Sequence, residues 1–344
     1  MEYLEFLKTK KKSIIESGFD IDEKKLNKNL FDFQSHIVKM ALKMGRFAIF
    51  ADCGLGKTLM QLSWAEQVVK HTKGKVLILA PLAVKAQTKN EALKFGIDLF
   101  NIEINNYEQL DNINASDYSG IILDESSILK NFTGKYKNLI IEKFKNTPYK
   151  LACTATPSPN DLNEIGNHSE FLNVLDAQDM RAKWFVRDEG MNNYRLKGHA
   201  KKDFYGWISN WAVMLTNPSD LGFDGSKYIL PELNYIEKMI ETNSRDNGKL
   251  FNEGSVSATD FNKELKLTLI ERFDEVAKIV NNSNESFIIW VNQNEEEKKA
   301  LELIPDAISV NGSEKPEIKE KKLLGFANGE FRVLVTKRKL HNLE

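Results

Sequence analysis

Lys57 and Thr58 directly follow a glycine-rich turn in the stretch RFAIFADCGLGKTLMQL, residues 46–62. Glycines let backbone N–H groups approach phosphate oxygens, and the N-terminus of a following helix adds positive potential. A lysine at this place supplies a point charge for the β- and γ-phosphates, and a threonine hydroxyl is a ligand for Mg²⁺. The strict phosphate-loop pattern is missed only at its first position, which is Ala51. The stretch predicts a nucleotide site; a tight turn with a chance lysine is the alternative.

Two carboxylates end the apolar run GIILDESS, residues 120–127. If this run is a strand in the same sheet as the turn, Asp124 is placed to hold Mg²⁺. Glu125 is then placed to orient and deprotonate an attacking water. A solvated surface turn is the alternative, because Asp-Glu pairs are common on surfaces.

The stretch LACTATP, residues 151–157, ends the next apolar run with Thr154 and Thr156. Taken in isolation, it is typical of a plain turn at the end of a strand. The order of phosphate loop, Asp-Glu pair and Thr-Ala-Thr-Pro is far more specific than any one of the three.

Short apolar runs alternate with helical patterns over the segment that carries these residues. Four runs predict strands, at residues 47–51, 75–81, 120–125 and 149–155. Two stretches between them predict helices, at residues 58–71 and 136–146. Continuous apolar strands separated by helices indicate a parallel sheet covered on both faces, so the predicted class is doubly wound α/β. Ligands of such a sheet bind beyond the carboxyl ends of its strands.

A second alternating stretch begins near residue 263 and contains about three strand candidates. It starts with a predicted helix at 261–280, and the strands follow at residues 286–291, 307–310 and 331–336. Residues 160–262 contain aromatics and turn formers with few β-rich runs, and 243–260 predicts a loop.

Composition excludes several classes of protein. The 344 residues are 42% hydrophobic and 28% charged, which is typical of a globular protein. The longest apolar run, at 76–84, is too short to span a bilayer, and the N-terminus has no signal-peptide pattern. Two cysteines, Cys53 and Cys153, support neither a disulfide framework nor a zinc site. A reduced, cytoplasmic location is therefore expected.

Any nucleic-acid contact must come from a local patch, since the formal net charge is −1. Residues 181–202 contain seven Lys or Arg against two acids, with Trp184 and Tyr194 interleaved. Such a pattern suits a groove that follows a phosphate backbone, with a solvated linker as the alternative. The residues that we select as nucleic-acid contacts are Arg195, Lys197, Lys201 and Lys202.

The order of motifs resembles that of superfamily 2 helicases and translocases, and most closely their Swi/Snf-like branch as carried by phages and prophages. LFDFQSHIVKMAL (30–42) resembles the adenine-reading Q motif, and LILAPLAVKAQT (77–88) resembles motif Ia. FIIWVNQNEEE (287–297) resembles motif IV, and FANGEFRVLVTK (326–337) resembles the approach to motif V. Where relatives carry Asp-Glu-Ala-His, this chain has two serines, Ser126 and Ser127.

The resemblance implies two RecA-like parallel-sheet domains, with ATP in the cleft and nucleic acid bound across both domains. The nucleic acid is expected to be DNA. The resemblance also implies an N-terminal helical segment (1–27), a first RecA-like domain (28–175), an insertion or linker (176–262) and a partial second domain (263–344). ATP·Mg²⁺ is expected to bind through Gln34, Gly54, Leu55, Gly56, Lys57 and Thr58. Thr58 and Asp124 would hold the metal, and the catalytic set would be Lys57, Asp124 and Glu125. Thr154 and Thr156 would couple the ATP state to motion of the domains.

The predicted function is an ATP-dependent DNA translocase or helicase. Relatives continue beyond a strand like VLVTK (333–337) into motifs V and VI, whereas this chain ends after RKLHNLE. The sequence thus leaves open a second function, that of an ATP-binding but hydrolysis-deficient module that binds nucleic acid or a partner. Such a module would be a truncated or split motor, with a second chain that supplies motifs V and VI. A phosphate-loop enzyme unrelated to nucleic acid, such as a metabolic kinase, is the third alternative.

Overall fold

The computed structural model describes residues 16–130, 134–188, 193–229, 231–241 and 258–337. Residues 1–15 of the predicted N-terminal helical segment, and most of the predicted loop at 243–260, lie outside this part of the chain. The chain divides into two compact units, Met1–Leu230 and Pro231–Glu344. No helix within the described ranges is long and apolar enough to cross a membrane.

The first unit is built on a six-stranded sheet with the order β3-β2-β4-β5-β1-β8, and every pair in it is parallel. Its strands are β1 (Arg46–Ala51), β2 (Lys75–Ala80), β3 (Ile102–Asn106), β4 (Tyr118–Asp124), β5 (Tyr149–Thr154) and β8 (Ala212–Leu215). A separate antiparallel hairpin pairs β6 (Phe185–Asp188) with β7 (Asn193–Leu196).

Helices of the first unit connect these strands. They are α1 (Asp32–Met44), α2 (Lys57–Thr72), α3 (Leu82–Lys94), α4 (Lys135–Lys143), α5 (Ile165–Phe171), α6 (Ala177–Trp184) and α7 (Lys201–Ile208). Strand β1 shows why the sheet needs a cover on both faces. Phe47 and Ile49 pack into one apolar cluster, whereas Ala48 and Phe50 pack into another. Successive strand side chains point to opposite faces, so a continuously apolar strand must be buried on both.

The second unit contains a three-stranded parallel sheet with the order β10-β11-β9. Its strands are β9 (Phe287–Val291), β10 (Ala307–Val310) and β11 (Val333–Lys337). Its helices are α8 (Ala258–Leu267), α9 (Leu269–Asn281), α10 (Asn294–Leu303) and α11 (Pro316–Ala327). The predicted α/β class with two parallel sheets is confirmed, and the second sheet is the smaller one.

The prediction of a single helix over 261–280 is wrong. The structure has two helices there, α8 and α9, and they meet at Thr268. The Thr268 hydroxyl donates to the Glu264 carbonyl at 2.8 Å and accepts from Arg272 Nε at 3.1 Å. A second nitrogen of the same guanidinium, Nη2, donates to the Leu265 carbonyl at 2.7 Å. The backbone bonds of Thr268 to Glu264 and Arg272 are kept, and the break is a local change of the Thr268 backbone to a φ of −96° and a ψ of 9°. A threonine hydroxyl bonded to the carbonyl four residues earlier is known to bend helices.

Lys150, near the start of β5, is fully buried at 0% exposure. Its ammonium donates to the Phe171 carbonyl at 2.8 Å, to Asn173 Oδ1 at 3.3 Å and to the Lys145 carbonyl at 3.4 Å. These partners are neutral, so they do not offset the loss of hydration as a carboxylate would. Burial, with a smaller contribution from the charge of Arg46, lowers the pKa of Lys150 to about 7.

We expect the stability of the first unit to rise with pH because of Lys150. Its folded pKa of about 7 lies below its unfolded pKa. Between these two pKa values, Lys150 carries a proton in the unfolded chain and not in the folded one. The free energy of unfolding therefore increases as pH rises, by up to about 1.4 kcal/mol per pH unit. Urea unfolding at pH 6.5 and pH 9.5 measures this difference. Lys150→Met should flatten it, whereas Lys145→Met, at an exposed side chain, should not. Equal pH slopes in all three proteins would contradict the expectation.

Candidate active site

The turn between β1 and α2 is shaped by two glycines in the left-handed region. Gly54 has a φ of 83° and Gly56 a φ of 74°, which favour glycine strongly. A Cβ on Gly56 would also lie only 2.4 Å from Gln34 Nε2. The Asp52 carboxylate accepts from the Cys53 N–H at 2.7 Å and fixes the start of the turn. The backbone of this segment is thus exposed and held in a tight loop.

Helix α2 begins at Lys57 without a side-chain cap, since its N-cap is Gly56. The first N–H groups of a helix have no partner within the helix, so this end of a 16-residue helix is suited to an anion. The Lys57 ammonium folds back over the turn and donates to the carbonyls of Ala51 at 2.8 Å and Asp52 at 3.2 Å. A phosphate oxygen would give this ammonium a charged acceptor in place of neutral ones.

Asp124, the last residue of β4, is held by two groups from different elements. Gln61 Nε2 of α2 donates to its Oδ1 at 2.8 Å, and the Tyr107 hydroxyl donates to its backbone carbonyl at 2.7 Å. Burial raises the pKa of the Asp124 carboxyl, while the Gln61 hydrogen bond and the Lys57 charge act against that rise. A cation at this carboxylate would favour its charged form in the same way as Lys57 does.

The side-chain oxygens of the residues predicted to hold the metal fit Mg²⁺. Carboxylate and hydroxyl oxygens, here those of Asp124 and Thr58, are the ligands that this hard cation prefers. Within the described ranges no group of three or more His, Cys, Asp or Glu could hold a metal. Mg²⁺ is often held by one or two protein ligands together with substrate phosphates, which agrees with that finding. Gln61 Oε1, buried beside this carboxylate, has no hydrogen-bond partner among the residues that the structure describes.

Glu125 has a φ of 55°, an unusual value for a residue that is not glycine. Its Oε1 accepts from the Thr154 hydroxyl at 2.7 Å and from the Ser127 hydroxyl at 2.5 Å. Parallel pairing explains the first contact, because Asp124 of β4 is in register with Cys153 of β5. The residues that follow, Glu125 and Thr154, therefore lie side by side. Backbone strain of this kind persists where surrounding contacts fix it, and it clusters at functional sites.

Thr154 connects Glu125 to the next turn of the chain. It is fully buried, and its Oγ1 accepts from the Thr156 N–H at 3.0 Å. Thr156 itself is exposed. A continuous path of two hydrogen bonds thus runs from Glu125 to a residue at the surface of the unit.

Gln34 of α1 is buried against the phosphate-loop turn. The Phe31 N–H donates to its Oε1 at 2.9 Å, and its Nε2 donates to the Leu55 carbonyl at 2.9 Å. The structure therefore brings Gln34 to the loop, with each end of its amide bonded to backbone. Contact with an adenine base stays a prediction.

Three further residues contribute to the site without having been predicted from sequence. They are Gln61, Tyr107 and Ser127, which bond Asp124 or Glu125. Gln61 follows Thr58 by three positions on a helix and so shares its face, which is a usable signal. The Tyr107 contact depends on how two separate elements pack, and the Ser127 contact depends on the unusual backbone of Glu125 two residues earlier, so no spacing in the sequence predicts either.

The basic segment lies on α6, the β6–β7 hairpin and α7. Arg195, Lys201 and Lys202 are exposed. Lys197 differs, because its ammonium donates to the carbonyls of Ala182 at 3.2 Å and Lys183 at 3.0 Å, at the C-terminal end of α6.

The two interleaved aromatic residues have different environments. The Arg181 guanidinium lies 5.5 Å from the centre of the Tyr194 ring. Trp184 is only 2% exposed, and its Nε1 donates to Asp203 Oδ2 at 2.7 Å. Trp184 is therefore a core residue whose buried ring has little surface to offer a base.

In comparisons with known proteins, the chain is similar to several solved structures. No protein-family model and no curated protein matches the chain. The SWI2/SNF2 ATPase core of Sulfolobus solfataricus in complex with double-stranded DNA is 17% identical with a TM-score of 0.48, over 94% of this chain and 80% of that chain. The Hef helicase domain of Pyrococcus furiosus is 15% identical with a TM-score of 0.39, over 91% and 87%. Both TM-scores are below 0.5, so neither likeness identifies a function for this chain.

Proposed function

We propose that this chain is a nucleic-acid-dependent ATPase that uses ATP and Mg²⁺ to move along DNA, as a translocase or helicase. One observation carries the ATPase part of the proposal: both carboxylates at the end of β4 are bonded to the elements that flank them. Gln61 of the phosphate-loop helix donates to Asp124, and Thr154 at the end of β5 donates to Glu125. In this proposal residues 28–175 carry the nucleotide site.

The phosphates of ATP bind at the turn and the start of α2. The backbone of Gly54, Leu55 and Gly56 would bind the β-phosphate, for which the Leu55 N–H would have to leave the Asp52 carbonyl that it bonds at 3.4 Å. Lys57 would turn from the loop carbonyls to the β- and γ-phosphates. Thr58 and Asp124 would hold Mg²⁺, which when bound supplies Lewis-acid stabilisation of the phosphate charge.

Glu125 serves as the general base of hydrolysis. Its carboxylate takes a proton from a water molecule while the water oxygen forms a bond to the γ-phosphorus. The bond between that phosphorus and the β–γ bridging oxygen breaks, and its electron pair leaves with ADP. Thr154 holds the base during this step, and Thr156 relays the state of the site to the surface.

The exposed cations of the basic segment supply the contact with nucleic acid. Arg195, Lys201 and Lys202 lie at the surface and can reach phosphates, whereas the Lys197 ammonium is engaged by two carbonyls at the end of α6. Ion pairs with phosphates release condensed counterions, so this contact is expected to weaken steeply with salt. DNA is proposed as the partner, with RNA as an outcome that the test below resolves.

Replacing Arg195, Lys201 and Lys202 together by alanine should weaken duplex DNA binding and flatten its salt dependence. Removing one ion pair between the protein and a DNA phosphate should reduce the slope of log affinity against log salt by about 0.9. Fluorescence anisotropy with labelled duplex at several salt concentrations measures this slope.

Lys197→Ala is the matched control for that triple variant. Because Lys197 caps α6, its loss should lower the thermal midpoint and leave the salt slope unchanged. A triple variant with the wild-type slope would make this segment a structural linker.

ATP hydrolysis with different nucleic acids tests the proposed function. The rate is measured without nucleic acid and with duplex DNA, single-stranded DNA or RNA at one salt concentration. Stimulation by DNA supports the proposal, and stimulation by RNA alone would replace the partner. Hydrolysis that no nucleic acid changes would favour a phosphate-loop enzyme with an unrelated role.

A further inference from the structure

Two adjacent serines follow Glu125, and their hydroxyls have different partners. Ser126 Oγ lies 3.1 Å from His168 Nε2, in the core of the first unit. Ser127 Oγ instead donates to Glu125 Oε1 at 2.5 Å. Both serines are buried, at 0% and 4% exposure, so neither hydroxyl is simply solvated. One of the two therefore touches the carboxylate and the other does not.

The Ser127 hydrogen bond complements the one from Thr154. Both hydroxyls donate to the same atom, Glu125 Oε1, so the carboxylate is fixed through one oxygen. Neither of these two hydroxyls uses the second oxygen, Oε2, which can therefore accept a hydrogen bond from a water molecule. Hydrogen bonds to a charged acceptor are about twice as strong as neutral ones, and two that converge restrict the rotation of the carboxylate.

Ser127 and Thr154 lie on different elements of the fold. Ser127 lies two residues after Glu125 in the same turn, at the start of a short 3₁₀ helix, Ser126–Lys130. Thr154 belongs to another strand and is bonded onward to Thr156. The Ser127 contact therefore depends on the turn that carries Glu125 itself, where the backbone is unusual, and not on the 154–156 turn.

We propose that Ser127 is a positioning residue for the general base. It holds Glu125 through Oε1 so that Oε2 faces the attacking water, whether or not Thr154 is engaged. This inference rests on the proposed function, because it requires that Glu125 activates water.

Steady-state ATP hydrolysis by Ser127→Ala, with saturating duplex DNA, tests the proposal. Loss of a hydrogen bond to a charged group that acts in the transition state should lower kcat by about 10- to 100-fold. The KM for ATP should stay the same, since the proposed role of Ser127 involves no contact with the phosphate loop. Ser126→Ala is the matched control, with the same change one residue away and an expected kcat near that of the wild type. Thermal midpoints establish that both variants are folded.

A double-mutant cycle with Glu125→Gln separates positioning from a general structural effect. If Ser127 acts through the carboxylate, Ser127→Ala should cause no further loss in the Glu125→Gln background. An equal loss in both backgrounds would overturn the proposal, as would a wild-type kcat for Ser127→Ala. Wild-type turnover by Glu125→Gln itself is a distinct outcome, because it would refute the proposed base and the positioning role with it.

Discussion

Glu125→Gln is expected to bind ATP·Mg²⁺ with the affinity of the wild type and to hydrolyse it about 10²- to 10⁴-fold more slowly. The amide has nearly the shape of the carboxylate and still accepts the Thr154 and Ser127 hydroxyls through its oxygen. It cannot accept a proton from water. The change therefore removes the general base and keeps the hydrogen bonds of the side chain. Single-turnover experiments measure the rate of hydrolysis, and calorimetry measures the affinity for ATP.

The matched control for this variant is Glu142→Gln, at an exposed position on α4. It makes the same chemical change outside the proposed site, and we expect its turnover to equal that of the wild type. Glu125→Gln hydrolysing at the wild-type rate would refute the role of Glu125. Loss of ATP binding together with turnover would indicate that Glu125 supports the fold of the site instead.

Lys57→Ala should weaken ATP binding by about 10- to 150-fold, since a hydrogen bond to a charged group contributes about 1.5–3 kcal/mol. The side chain bonds two neutral carbonyls of its own loop, so its removal should leave the fold nearly unchanged. Isothermal calorimetry with a slowly hydrolysed ATP analogue measures the affinity.

Lys70→Ala is the control for that variant, because it removes a lysine from the last turn of the same helix. Lys70 forms a surface pair with Glu66 at 3.0 Å, a kind of interaction that contributes little. Its ATP affinity should match that of the wild type. An unchanged affinity in Lys57→Ala would show that the phosphates bind elsewhere.

The central strands of the first sheet were predictable because each is a continuous apolar run. β1, β2, β4 and β5 are all buried on both faces, and each was predicted within two residues of its observed ends. β3 and β8 were not predicted as strands. Both occupy the edges of the sheet. Polar side chains interrupt the apolar pattern of β3, whereas β8 is an apolar run of only four residues, and the periodicity of so short a run does not distinguish a strand from a helical segment.

The kinds of residue at the candidate site were predictable, whereas their mutual contacts were not. The end of a parallel strand is a known place for functional side chains, so Lys57, Asp124 and Thr154 could be selected from position alone. The contact between Thr154 and Glu125 needs the register of β4 against β5. That register follows from packing over the whole sheet, and no local pattern encodes it.

The basic segment shows a different limit of sequence reasoning. Its charge count treats Lys197 and Lys201 alike, because both are lysines in one hydrophilic stretch. The structure separates them: the Lys197 ammonium caps α6, while Lys201 is exposed. Composition measures the charge of a segment, and only the packing shows which of its charges are already bonded.

The most direct test of the proposed mechanism measures ATP turnover while duplex DNA is titrated into the wild type and into Glu125→Gln, both saturated with ATP and Mg²⁺. We expect DNA to raise the turnover of the wild type to a plateau. Glu125→Gln should bind ATP equally well and stay near its low rate at every DNA concentration. Equal turnover in the two proteins, or a wild-type rate that DNA does not change, would contradict the mechanism.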